Sequence, residues 1–414
     1  MTSTPFRCLV LGLMVFASAS APSAQGKQTA SIRVTEASGI RRTEYPVHAR
    51  VAVPQRALAD ATQAQLRLNE MAVPAQVTVI AKWPDGSAQS IDVDFNVSLA
   101  PAETRTYQLD YGPSVAAGAV PRGLAVTEEA DVIQIGSVKW TKSGAPLIAS
   151  ATYVRAEFIG QFAQSRNGFA IVDKAGARHE LASATPLKAE LLKRGPLSAV
   201  LQYSGSIPFD AGYAVPFTLT IEMPNSKSWV RMSASVTDPA SRVRDLDFDT
   251  PFSLGAFPWL WDFATENGSY GVLRNANDTV VFTQIVEARP QGSNSWKIDT
   301  GAQAELRPLE ASVKPATPTA ADRAHVTAGW GHLQSPTQAV AFAVDGMGES
   351  VGTYTVTLNG QGQATYRFSP GARPNAATPL HFTVYQHFVS VPVPIGAATT
   401  PTSMLHPPMV EVVP

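Results

Sequence analysis

Val77, Val79, Ala81 and Trp83 alternate with Thr78, Ile80 and Lys82, and Ile91, Val93, Phe95 and Val97 alternate with Asp92, Asp94 and Asn96. A period of two sends successive side chains to opposite faces, so both arms predict half-buried strands. Between them, Pro84-Asp85-Gly86-Ser87 predicts a tight turn. Proline sets φ at its second position, and Gly86 supplies the positive φ of a bulged hairpin. Thr353–Leu358 and Ala364–Phe368, joined by Asn359-Gly360-Gln361-Gly362, predict a second hairpin.

The same reading extends along the chain. Ser31–Val53 predicts a strand, a Ser-Gly turn and a strand with Val47, Ala49, Val51 and Val53 on one face; Asp60–Leu68 fits a helical turn or a strand; Arg105–Tyr111 predicts another strand. Five or six strands in about eighty residues predict a small closed barrel, because closure removes unpaired edges. That domain is placed at 28–113, followed by a small-residue, Pro-containing linker at 114–123. From Val132–Trp140 to His381–Val389, strand-like runs recur between turn signals with no long amphipathic helix, which predicts a large antiparallel β-sandwich over 124–395. Pro308–Asp322 reads as an exposed loop, and 396–414 as a Pro-rich tail lying extended or frayed.

Composition narrows the function classes. Charged residues make up only 16% of the 414, and 32 Pro and 29 Gly punctuate the chain, a mixture that suits short strands and turns. A formal net charge of −1 gives no cationic field for nucleic acid or an anionic bilayer. Arg7 precedes an apolar run from Cys8 to Ala17, and small residues follow through Ala24. This predicts a cleavable signal peptide at 1–24 and a secreted or periplasmic product, with Cys8, the single cysteine, removed. No other segment reaches membrane-spanning length, so membrane insertion is not expected.

The Trp83-Pro84-Asp85-Gly86-Ser87 turn, followed by the Asp92-x-Asp94-Phe95 arm, resembles the N-terminal barrel of the secreted exo-acting rhamnogalacturonan lyase family. The resemblance implies an all-β protein: a small N-terminal β-barrel followed by a large antiparallel β-sandwich of the galactose-mutarotase-like supersandwich kind. That family places a helical toroid after the sandwich, and none is read here, which favours binding over lyase chemistry.

Lyase chemistry on uronates needs a base beside the carboxylate and a cation to steady the developing charge. His332 lies in Gly329-Trp330-Gly331-His332, and His381, Tyr385 and His387 share one face of a strand. His332, Tyr385 or His387 could serve as base with Arg244 as neutraliser, and Trp330 and His381 as substrate contacts. Alternatively these are half-buried sandwich residues satisfied by hydrogen bonds, the reading that strand composition favours. Trp259 and Trp261 share a parity and either stack on sugar rings or plug the core. Asp245, Asp247 and Asp249 share another, and need a Ca²⁺ ion, Arg231 from the preceding strand, or solvent to relieve their repulsion; arginine or solvent is favoured, and no cofactor is expected. Signatures of serine hydrolases, zincins and nucleotide-dependent enzymes are missing from the sequence.

The sequence thus predicts a carbohydrate-binding or accessory protein of pectin-like, uronate-containing polysaccharide degradation. The alternatives are an active polysaccharide lyase cleaving by β-elimination and a structural cell-envelope β-sandwich protein. The expected partner is a polysaccharide or oligosaccharide.

Overall fold

The computed structural model describes residues 26–120, 123–161, 165–210, 212–265, 268–287, 295–300, 327–373, 375–391 and 400–413. The signal-peptide reading and the Pro308–Asp322 loop lie outside them. The architecture is all-β, in antiparallel sheets. No helix among the described residues is long and apolar enough to cross a membrane.

The small domain is built around the Trp83–Ser87 turn. Strand Ala75–Lys82 pairs with strand Ala88–Leu99, and Gly86 sits at φ +87°. The Trp83 N–H donates to the Ser87 carbonyl (2.8 Å), while Asp85 Oδ1 accepts from the Ser87 N–H (3.0 Å) and hydroxyl (2.6 Å). With Arg42–Ala52 these arms form a three-stranded sheet. A five-stranded sheet, in the order Met409–Val413, Gln28–Thr35, Thr104–Tyr111, Ala64–Leu68 and Met71–Val73, wraps the other side of one core. Ile32, Val51, Leu66, Val93, Phe95 and Leu109 lie in that core, each at most 1% exposed.

One strand of that sheet comes from the far end of the chain. The segment read as a Pro-rich tail forms a helix at Thr400–Leu405 and a strand at Met409–Val413, which pairs with the first strand in the register Ser31↔Val413 to Thr35↔Met409. Its backbone covers what would otherwise be an open sheet edge. Arg42, fully buried against Glu36 (2.9 Å), donates to the Ser403 and His406 carbonyls, and the Tyr45 hydroxyl donates to the Ser403 carbonyl (2.9 Å).

The large region holds a five-stranded sheet formed by Val126–Glu128, Val132–Ile135, Val138–Thr141, Ile148–Tyr153 and Ala156–Glu157, together with sheets of seven and nine strands. The second predicted hairpin lies centrally in the seven-stranded sheet: Gly352–Asn359 pairs with Gln363–Pro370, with Gly362 at φ +88°. The nine-stranded sheet runs in the order Lys188–Lys193, Ser198–Asp210, Tyr213–Pro224, Trp229–Val236, Leu380–Ser390, Gln338–Val344, Trp330–Gln334, Trp259–Phe263 and Ser269–Leu273. Val230, Met232, Phe382, Val384 and Phe388 point from it into the shared core. The alternate residues of the same strands make a second, polar face, and part of that face is covered by the small domain.

Candidate functional site

Register brings the polar face together row by row. Arg231 lies opposite Tyr385 and Trp229 opposite His387. On the other side of Leu380–Ser390, Ala343 separates Tyr385 from Trp330, and Ala341 separates His387 from His332. Glu222 continues the first row beyond Arg231. Trp330, His332, Tyr385 and His387, singled out in the sequence, therefore form one block around two alanines.

Above part of this face is a cleft of about 610 Å³. The small domain contributes Tyr45, His48 and Asp94; the sheet contributes Glu222, Trp229, Arg231 and Tyr385; Asp345 and Glu349 follow strand Gln338–Val344; Met404, Leu405 and Pro407 close the third side. The junction is fixed by buried polar contacts between the domains. Lys193 Nζ lies 2.7 and 3.0 Å from the Asp94 carboxylate, both side chains being almost fully buried. The Gln76 side chain accepts from the Leu197 and Ser198 N–H groups and donates to the Ser198 carbonyl. Asp94 and Asp92 share their strand with core residues Val93 and Phe95, so both faces of that strand are buried, one in the small core and one against the neighbouring domain.

Within the cleft, Arg231 Nη1 lies 3.3 Å from Glu222, and its guanidinium sits 5.8 Å from the Tyr385 ring centre. Arg231 Nε is buried without a hydrogen-bond partner. Tyr45 and Trp229 pack with ring centres 5.5 Å apart. Burial pushes the Tyr385 hydroxyl above its usual range; Arg231 pulls the other way and Asp345 adds to the rise. The phenol stays protonated at neutral pH, ready to donate or accept a hydrogen bond.

The His332 and His387 imidazoles belong to a layer beside the cleft and do not line it. Asp262, on strand Trp259–Phe263, accepts from the His332 N–H (2.8 Å) and contacts His332 Nδ1 (2.8 Å). His332 Nε2 and His387 Nδ1 are buried without partners. Helix Thr400–Leu405 packs across the strands that carry them. Burial drops the His387 imidazole to about 4, with Lys227 and His332 adding to the shift, so it is neutral at neutral pH.

Other sequence expectations move. Trp259 and Trp261 are 5% and 3% exposed and belong to the main core. Trp259 stacks on Phe257 and donates to the Gly255 carbonyl, so neither indole offers a face to a sugar. Their strand turns Leu260 and Asp262 outward instead. Arg244 lies on the seven-stranded sheet, 3.0 Å from Asp245 of its own strand, away from the His and Tyr residues it was expected to assist. His381 shares the Tyr385 face but is exposed near the strand end, outside the cleft lining.

Asp245, Asp247 and Asp249 do share a face, and arginine relieves them, but not Arg231. Arg367 pairs with Asp247 through two hydrogen bonds (2.7 and 2.8 Å), and Arg178 bridges Asp247 and Asp249. Ser369 and Thr365 donate to Asp245 and Asp249. With these donors in place, the carboxylates leave no calcium-like arrangement, and no group of three or more His, Cys, Asp or Glu among the described residues forms a metal site.

Sequence reasoning passed over Tyr45, His48, Glu222, Asp345 and Glu349. Glu222 had a signal: it shares parity with Thr218 and Thr220 on Tyr213–Pro224. The others enter the cleft only through the packing of one domain on another.

Neither a protein-family model nor a curated protein matches the chain. An α-mannosidase from Enterococcus faecalis V583 matches over 93% of this chain and 46% of its own, at 10% identity and a TM-score of 0.53. The chain shares its fold with about half of that protein. A glycosyl hydrolase family 38 protein from Enterococcus faecalis matches 93% of this chain and 47% of its own, at 10% identity and a TM-score of 0.50. A galactose mutarotase-like protein from Lactobacillus casei ATCC 334 aligns over 64% of this chain and 100% of its own, at 10% identity and a TM-score of 0.35. The chain spans about half the length of the two glycoside hydrolase structures.

Proposed function

We propose that the protein binds carbohydrate in the cleft between its small domain and the nine-stranded sheet. The observation that carries this reading is a fixed, open cavity whose walls combine the Tyr385 ring with the Arg231–Glu222 pair. Sugars are held by aromatic faces against their C–H groups and by planar polar pairs on their hydroxyls. A fold shared with part of an α-mannosidase supports the same reading. The N-terminal apolar leader supports work outside the cytoplasm, as a secreted or periplasmic accessory to polysaccharide breakdown.

A second reading, β-elimination as in the rhamnogalacturonan lyases, has one observation in its favour: the Arg231 guanidinium stands beside Tyr385, a cation next to a candidate base. The raised Tyr385 hydroxyl opposes it, because a base must give up its proton.

Calorimetric titration against a panel of oligosaccharides tests the proposal. Arg231→Ala and Tyr385→Ala are each expected to weaken binding by about tenfold or more, the loss of one good polar or stacking contact. Binding untouched by both would remove the cleft from consideration. New absorbance from unsaturated sugar ends, lost in Tyr385→Phe, would favour the lyase.

A further inference from the structure

The charges on the cleft wall do not balance. Asp94 is neutralised from behind by Lys193, with His48 Nδ1 3.2 Å away on the other side. Glu222 is matched by Arg231 at 3.3 Å. Asp345 and Glu349 also line the cavity, are exposed, and have no ion-pair partner among the described residues. Among the described residues Arg231 is the only arginine or lysine lining the cleft, and its Nη1 already faces Glu222. Two negative charges are therefore left over.

From this excess, and resting on the carbohydrate reading above, we infer that the cleft selects glycans by charge: basic amino sugars first, neutral sugars next, uronates last, with Asp345 and Glu349 as the specificity-determining residues. A uronate carboxylate entering beside Tyr385 would have to compete with Glu222 for Arg231 while sharing the cleft with both unpaired carboxylates. Each like charge at this range in partly wet surroundings costs about a few-fold in affinity at low salt, and a protonated amine gains by a similar factor. The effect fades as ionic strength rises, because both carboxylates are exposed to screening. The selection runs against the pectic, uronate-rich substrate that the lyase resemblance implies.

The test is titration of the full chain with chitosan oligosaccharides, neutral manno- and galacto-oligosaccharides, and oligogalacturonates, at low and at physiological ionic strength. The expected order is amino, then neutral, then uronate, with the gaps shrinking in salt. In Asp345→Asn/Glu349→Gln the gap between amino sugar and uronate is expected to narrow by at least about tenfold at low salt, because each of the two charges both penalises the uronate and favours the amine. These side chains are exposed and unpaired, so the double variant keeps the fold. Oligogalacturonate binding as tightly as the neutral sugars would overturn the selection while leaving carbohydrate binding intact. An unchanged gap in the double variant would overturn the role of these two carboxylates. Failure of all three sugar classes to bind would instead remove the carbohydrate reading itself, and this inference with it.

Discussion

At His387 a polar ring stands where Trp229 and the C-terminal helix leave almost no water. Burial makes the charged imidazole expensive, so its folded proton affinity falls from about 6.5 to about 4. Between those values the unfolded chain binds a proton that the folded one refuses. Stability from this group is complete above pH 6.5 and declines as the pH falls toward 4, by up to roughly 3 kcal/mol. Chemical denaturation across that window is expected to show the decline, and His387→Gln to flatten it. Trp259 and Trp261 make a contrasting case. As core residues, their replacement by Ala is expected to cost about 3–5 kcal/mol in denaturant unfolding, whatever it does to sugar affinity. The sequence showed that the two indoles share a side of their strand. It could not show which side, because Leu260 and Asp262 on the opposite parity include one apolar and one acidic residue, and both sides of such a strand could be inward.

Among the elements, those closed by local turn chemistry were legible. Both hairpins formed where Pro-Asp-Gly-Ser and Asn-Gly-Gln-Gly foretold them, since Gly86 and Gly362 occupy the positive φ that the turns demand. Strands defined by distant partners were not. Met409–Val413 is only five residues long, follows Pro407 and Pro408, and is a strand because Gln28–Thr35 is there to pair with it. The buried carboxylates behave likewise: periodicity aligned Asp245, Asp247 and Asp249, but their arginines come from strands more than sixty residues away on either side. Strand Ala88–Leu99 carries a further consequence of long-range pairing. Its Asp94 is buried only because Lys193 meets it. Lys193→Met is expected to cost about 3–5 kcal/mol by stranding that carboxylate, and adding Asp94→Leu to recover most of the loss, measured by thermal or urea unfolding.

Taken whole, the molecule has two cores but polar and apolar ties that run between them. Gln76 and Lys193 each join the small domain to the large region, and Trp229 from the large sheet is packed into the small domain's cluster. Calorimetry is expected to show one cooperative transition for both domains. Arg42→Met, which strands Glu36 and frees the Ser403 and His406 carbonyls, is expected to split that transition in two, the small domain melting first.

The partnership of the first strand with the last also imposes a timetable. Arg33 waits 378 residues for Glu411, so the domain translated earliest is the one completed latest. Until then the nascent polypeptide displays a bare row of amide and carbonyl groups that any passing extended segment could occupy. A holding chaperone that keeps this stretch unpaired would govern yield, and a circular permutant linking Val413 to Gln28 would make the two strands neighbours from the start.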